Sequence, residues 1–262
     1  MKTLLICHDG AQLDQVVLAR WLNSFSDLAG IVVIQEPASR TWKRVKREIK
    51  RIGLFRFLDA MAFRLYYRLF LAAKDRSWES QELQGKSLVY RELPSTVPIL
   101  KTPSPNSAES EAFIRKANPD IVVARCKFLL KESVFSIPSK GTLVMHPGIC
   151  PEYRNAHGCF WALANRDMKK VGMTLLKIDK GVDTGPTFGY YTYPFDELRE
   201  SHIVIQNRVV LENLDALRSK LQEIFDGTAI PLSTEGRPSA AWGQPWLTKY
   251  LEWKSSAKRV QR

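Results

Sequence analysis

Two clusters in the sequence hold side chains that could do acid–base chemistry. The first runs Val144-Met145-His146-Pro147-Gly148-Ile149-Cys150-Pro151-Glu152-Tyr153-Arg154-Asn155-Ala156-His157-Gly158. His146 follows the apolar run Gly141 to Met145 and precedes a Pro/Gly loop. It therefore stands at the carboxyl end of an expected strand, where open α/β sheets place their ligands. The second cluster, Ile178 to Pro186, closes the next expected strand and carries Asp179 and Asp183 on either side of Gly181. If the sheet edge brings Asp183 beside His146, the pair is an imidazole general base with a carboxylate that orients it and favours its charged form. Residue types alone leave other readings open, because a lone histidine can be a packing residue and Asp and Gly are turn formers first. Cys150 offers a rival, a thiol nucleophile four residues from His146. Against it, a lone thiol commonly fills apolar space, and Pro151 leaves no helix to align the two groups.

The scaffold that would position these clusters is written in the apolar runs. Lys2 to Cys7, Gly30 to Ile34, Asp120 to Ala124 and Gly141 to Met145 are short, β-branched and largely uninterrupted, and Gly172 to Ile178 and Thr187 to Tyr193 return to the same pattern. Between them, Leu13 to Phe25 and Ser107 to Ala117 have helical spacing, with Asn106 and Glu109 as an expected helix cap. Ile203 to Phe225 reads as one closing helix ended by Asp226-Gly227. Strands of this kind alternating with helices require a parallel sheet covered on both faces. The expected fold is α/β, a Rossmann-like, mostly parallel sheet with a basic helical insert at 41–74 and a short C-terminal extension.

Composition excludes other classes. With 45% apolar and 25% charged residues over 262 positions, the chain can build a core and is not a disordered polypeptide. Its four cysteines, Cys7, Cys126, Cys150 and Cys159, form no C-x-x-C pair, so neither a disulfide framework nor a zinc finger is expected, and no metal site. The amino-terminal apolar run is too short for a signal peptide, and arginines interrupt the greasiest stretch, so the expected address is the cytosol. Net charge is +12, and Arg40 to Arg56 alone holds eight basic residues against Glu48. In Leu54 to Phe70, Arg56, Arg64 and Arg68 share one side of a helix, while Phe55, Leu58, Met61, Leu65 and Leu69 gather towards another. Such a helix suits either an anionic membrane surface or a nucleic acid, with a solvated helix packed on its own domain as the bland alternative.

Taken together, the clusters resemble the folate-dependent formyltransferase family, which includes methionyl-tRNA, glycinamide ribonucleotide and sugar N-formyltransferases. The resemblance rests on Met145 to Arg154, then Trp161-Ala162-Leu163-Ala164-Asn165, then Val171-Gly172-Met173-Thr174 and Asp179 to Gly185. It extends more loosely over residues 90 to 230 and leaves the basic insert outside. It implies a catalytic domain over 1–230 followed by a 231–262 tail, with no further β-barrel domain. By resemblance His146 and Asp183 are the catalytic histidine and aspartate that move a formyl group from 10-formyltetrahydrofolate to a primary amine. The pterin-holding segments match Lys127 to Leu130, with Phe128 between them, and Lys180, Gly181 and Val182. One departure stands out: family members usually carry an asparagine two residues before the histidine, and here that position is Val144. If the missing amide stabilises the oxyanion, its loss costs about 2.7–4 kcal/mol unless another donor substitutes. Asn155 and His157 are the expected substitutes. The alternative is a degenerate site that binds without catalysis, on a module whose basic helix over 40–70 contacts membrane or nucleic acid. Because methionyl-tRNA formyltransferases carry an added β-barrel domain, the short tail favours an amino-sugar nucleotide or other phosphorylated small amine as acceptor over tRNA. The tail's Trp242, Trp246, Tyr250 and Trp253 are either platforms for a sugar or base, or packing residues.

Overall fold

The computed structural model describes residues 1–36, 45 and 48–260. Five of the eight basic residues of the 40–56 segment, Arg40, Lys43, Arg44, Lys46 and Arg47, lie outside the described residues. Strands β1 (Lys2–His8), β2 (Asp27–Ile34), β3 (Ile99–Thr102), β4 (Ile121–Arg125), β5 (Gly141–His146), β7 (Met173–Lys177) and β8 (Thr187–Tyr191) form one sheet in the order β3-β2-β1-β4-β5-β7-β8. The first five neighbours in that order run parallel, and β7 is antiparallel to both β5 and β8. The short strands β6 (Arg154–Asn155) and β9 (Ala241–Trp242) pair separately, in parallel.

Burial on both faces explains why the central strands are continuously apolar. Alternate residues of β1, β2 and β4 split between two cores. Leu5, Cys7, Val33 and Val123 pack with Trp21, Leu22, Leu217 and Leu221, whereas Leu4, Ile6, Val32 and Val122 pack with Ile114 and Val134. A third core lies beyond the sheet, where Phe63, Tyr153, Phe160, Trp161, Tyr250 and Trp253 converge. The tail rings are thus packing residues: Trp253 and Tyr250 are buried there, with Trp242 and Trp246 half-buried against the same cluster.

Four local features differ from the sequence expectation. The edge strand β3 is an addition; its short, half-exposed run has no clear alternation to announce it. The cap of the Ala108–Ala117 helix is Ser107, whose side chain accepts from the Ser110 N–H, while the Asn106 side chain instead bridges the Leu129 carbonyl and the Lys131 N–H. The closing helix is two helices, His202–Leu211 and Leu214–Asp226, because Asn213 turns its amide onto the Val209 and Thr192 carbonyls. The helix of the insert does not stop near residue 70. Leu54–Tyr66 passes through a wide turn at Tyr67–Leu71 into the polar helix Ala72–Val89.

Candidate active site

The order β2-β1-β4-β5 reverses direction at the β1/β4 pair, which opens a crevice beyond their carboxyl ends. A cleft of about 1170 Å³ occupies it, lined by strand ends (His8, Arg125, His146), by the Lys127 to Leu130 segment and by the Asp179 to Asp183 loop.

His146 is the last residue of β5 and only 3% exposed. Its neighbour across the antiparallel pair is Thr174, also buried, whose hydroxyl donates to the Gly148 carbonyl at 2.6 Å and accepts from the Cys150 N–H at 2.9 Å. This pins the loop so that the Tyr153 carbonyl lies 2.7 Å from His146 Nε2. A side chain at Gly148 would block the arrangement, since a Cβ there would lie 2.5 Å from the Tyr153 oxygen and 2.8 Å from the Gly158 Cα.

The aspartate loop divides its labour. Asp179 Oδ1 accepts from the Gly181 N–H at 2.9 Å and the Thr184 hydroxyl at 2.7 Å, so this carboxylate folds the turn. Arg154 Nη1 holds the far side by donating to the Val182 carbonyl at 2.8 Å. Asp183, with φ of 52°, is then turned towards the sheet, where its Oδ2 accepts from the Asn155 N–H at 2.7 Å and lies 3.3 Å from His146 Nδ1. The histidine therefore has an acceptor oxygen at each ring nitrogen. A doubly protonated ring satisfies both contacts and a neutral ring satisfies one.

The remaining expected residues also border the cleft. Asn155 is placed there by β6, and its side-chain amide donates to the Trp242 carbonyl of β9. His157 sits at the start of the Gly158–Ala164 helix, and burial, with the Lys127 and Arg64 charges adding to it, pushes its imidazole down to about 4. It is neutral at physiological pH. Lys127 donates its backbone N–H to His8 Nε2 at 3.0 Å, Phe128 and Leu130 offer apolar surface, and the Lys180 ammonium, which is exposed, lies 3.1 Å from Glu132. Gly181 and Val182 complete the rim on the aspartate side. Val144 lines the cleft as a half-buried apolar side chain. Cys150 is buried, and burial first, then the Asp183 charge, push its thiol up to about 12, which removes the thiolate that a nucleophile needs. Among the described residues no group of three or more His, Cys, Asp or Glu side chains is placed to hold a metal ion.

Sequence reasoning missed a second polar centre in the same cleft. Arg125 ends β4, and its Nε donates to Asp14 at 3.1 Å, its Nη1 to the Met145 carbonyl at 2.9 Å and its Nη2 to Asn207 at 3.3 Å. The available signal was the charge that closes the otherwise apolar run Ile121-Val122-Val123-Ala124-Arg125. Trp242 was also missed as a support: its indole donates to the Glu152 carbonyl, and its ring stacks on Tyr153 and Trp161.

Comparison with known proteins bears on the family and the fold. The chain is 28% identical over 160 residues to the methionyl-tRNA formyltransferase of Caldanaerobacter subterraneus, covering 60% of this chain and 50% of that one. To the enzyme of the same name from Thermus thermophilus it is 30% identical over 201 residues, covering 68% and 62%. The chain spans about half the length of the first of these relatives. Among solved structures, a sugar N-formyltransferase from Shewanella sp matches with a TM-score of 0.55 at 15% identity, covering 97% of this chain and 87% of that one. A phosphoribosylglycinamide formyltransferase from Anaplasma phagocytophilum matches with a TM-score of 0.54 at 14% identity, covering 93% and 98%. These likenesses are of fold. The formyl transferase family model matches residues 73–218, more than half of the 262 residues and a span that encloses both His146 and Asp183, and the chain belongs to that family.

Proposed function

We propose that the chain transfers a formyl group from 10-formyltetrahydrofolate to the primary amine of an amino-sugar nucleotide or another phosphorylated small molecule. The observation that carries this reading is the 3.3 Å contact between His146 Nδ1 and Asp183 Oδ2 within a cleft large enough for two substrates. At about 1170 Å³ the cleft exceeds the ~300–1,000 Å³ of ordinary ligand pockets. Its lining suits a reduced folate. Phe128, Leu130 and Ile178 give an apolar wall, and the backbone of Lys127 and of Lys180, Gly181 and Val182 gives polar groups for the edge of a pterin. Bound there, the folate supplies the one-carbon unit and a nitrogen leaving group that must gain a proton.

The chain's own residues supply proton movement and charge. His146, with its Nε2–H on the Tyr153 carbonyl, takes on Nδ1 the proton that the attacking amine must lose and gives it to the leaving folate nitrogen. Asp183 Oδ2, 3.3 Å from Nδ1, holds the ring and stabilises the imidazolium between the two transfers. Negative charge growing on the transferred carbonyl oxygen calls for a donor in place of an amide at Val144. His157, neutral and lining the cleft, can give one N–H, and Asn155 can do so by leaving the Trp242 carbonyl. Arg64, Lys127 and Lys180 border the cleft and suit the phosphates of an acceptor.

Val144 favours a second reading, in which the cleft binds reduced folate without turnover. One experiment separates the two. The protein is incubated with 10-formyltetrahydrofolate and a panel of amino-sugar nucleotides, with product read by mass spectrometry and binding by thermal shift. A formylated amine supports catalysis, thermal stabilisation with no product from any amine supports the binding reading, and neither signal contradicts both.

A further inference from the structure

The helix Leu54–Tyr66 and its continuation Tyr67–Leu71 have two apolar faces, of which the fold uses one. Ala60 and Phe63 are buried, and Phe63 packs on Phe160, His202 and Tyr250. Leu54, Leu58, Met61, Leu65 and Leu69, spaced to form one stripe on the opposite side, are 56%, 54%, 38%, 59% and 64% exposed. Phe55 at 89% and Phe70 at 66% are also exposed on this segment, the Phe70 ring resting against Tyr66. The five side chains of the stripe are not accounted for by packing within the described residues, and contiguous patches of this kind mark contact surfaces.

Charge selects the partner. Residues 54–74 contain Arg56, Arg64, Arg68 and Lys74 against Asp59 alone, and Asp59 is engaged by the Thr248 N–H and hydroxyl. Arg64 and Arg68 are exposed beside the stripe, and the whole chain is at +12. A second copy docked stripe to stripe would set these arginines against their own counterparts. A nucleic acid would gain nothing from the outward leucines. An anionic bilayer satisfies both features, taking the apolar stripe into the acyl boundary and the arginines at the headgroups. No helix among the described residues is long and apolar enough to cross a membrane, so the contact lies in the plane of the surface.

We propose that the outward face of residues 54–71 docks this protein on an anionic membrane surface. Phe57 and Arg64, on the same helix, line the cleft. Docking therefore holds the rim of the cleft close to the headgroups.

The test is co-sedimentation of the full chain with vesicles of phosphatidylcholine alone or mixed equally with phosphatidylglycerol. The expected result is binding to the mixed vesicles that weakens with salt, with little binding to phosphatidylcholine. Leu58→Glu/Leu65→Glu should lower vesicle affinity by about tenfold or more, as expected for two leucines that no longer leave water. Arg68→Gln should lower it less and flatten the salt dependence. Because all three side chains are exposed, the variants should melt as the unaltered protein does. The proposal is overturned by absence of binding to either vesicle, by a double variant that binds undiminished, or by a concentration-dependent dimer that the double variant abolishes. The readout is binding alone, so failure here leaves the formyl transfer reading standing, and the reverse.

Discussion

The Asp183 carboxylate has two tasks that a single substitution separates. Oδ2 accepts from the Asn155 N–H, which an amide oxygen can also do, and it faces His146 Nδ1, where charge matters. Asp183→Asn should therefore fold normally yet lose the imidazolium's partner. The expected effect is a fall in kcat of roughly 10²–10⁴, the range of a positioned acid–base group, with little change in melting temperature. A rate within a few-fold of the unaltered enzyme would remove the aspartate from the chemistry. His157 gives a prediction about stability. Its imidazole is held down to about 4 by burial, and burial also lowers that of its neighbour His202. Unfolded, such a ring gains its proton near pH 6.5. The contribution of His157 to stability is present in full above that pH. As pH falls towards 4, the unfolded chain binds a proton that the native chain refuses, and stability drops by about 3 kcal/mol. Urea denaturation between pH 7 and pH 4.5 should show this acid limb, shallower in His157→Gln; an unchanged limb in that variant would assign the loss to other groups.

At the scale of elements, the tail belongs to the machinery that shapes the cleft. β9 pairs with β6, so the Trp242 carbonyl and indole support Asn155 and Glu152, and Arg237 reaches Glu152 at 2.6 Å. Beyond it, Trp253 is fully buried and donates to Glu197 at 2.8 Å. Trp253→Ala should cost about 3–5 kcal/mol, the range for a core tryptophan, measured by chemical denaturation. A cost under about 1 kcal/mol would mean that the tail is dispensable to the third core. The same elements show what a sequence discloses. β1, β2, β4 and β5 were legible because both faces of each are buried, which forces a continuous apolar run. β3 was not, being a half-exposed edge, and neither was the helix Ala72–Val89, whose only buried residues are Ala72 and Asp75. The break at Asn213 escaped notice because helical spacing continues across it, and only the tertiary bond to the Thr192 carbonyl reveals the turn.

Across the whole molecule, the cleft lies where the order of strands reverses, and its two polar centres arise differently. His146 and Asp183 could be singled out because His146 ends a strand and Asp183 lies in the glycine-containing loop after the next one, each within a dense motif. The Arg125 centre was not, because Asp14 and Asn207 lie 111 and 82 residues away from it, on separate elements that carry no motif. The outward stripe at 54–71 was visible as a periodicity, but which face the domain would cover depended on Phe160, His202 and Tyr250, all remote in sequence. The proposed function reduces at this scale to one event, movement of a formyl group across the cleft under the control of His146. The most direct measurement follows a carbon-13 label from 10-formyltetrahydrofolate into amine product under single-turnover conditions, for the unaltered chain and for His146→Ala. The expected result is label in the amine with stoichiometric tetrahydrofolate release, slowed by about 10² or more in the variant. Equal rates in the two proteins would contradict the assignment of His146, and label that stays on the folate in both would contradict formyl transfer itself.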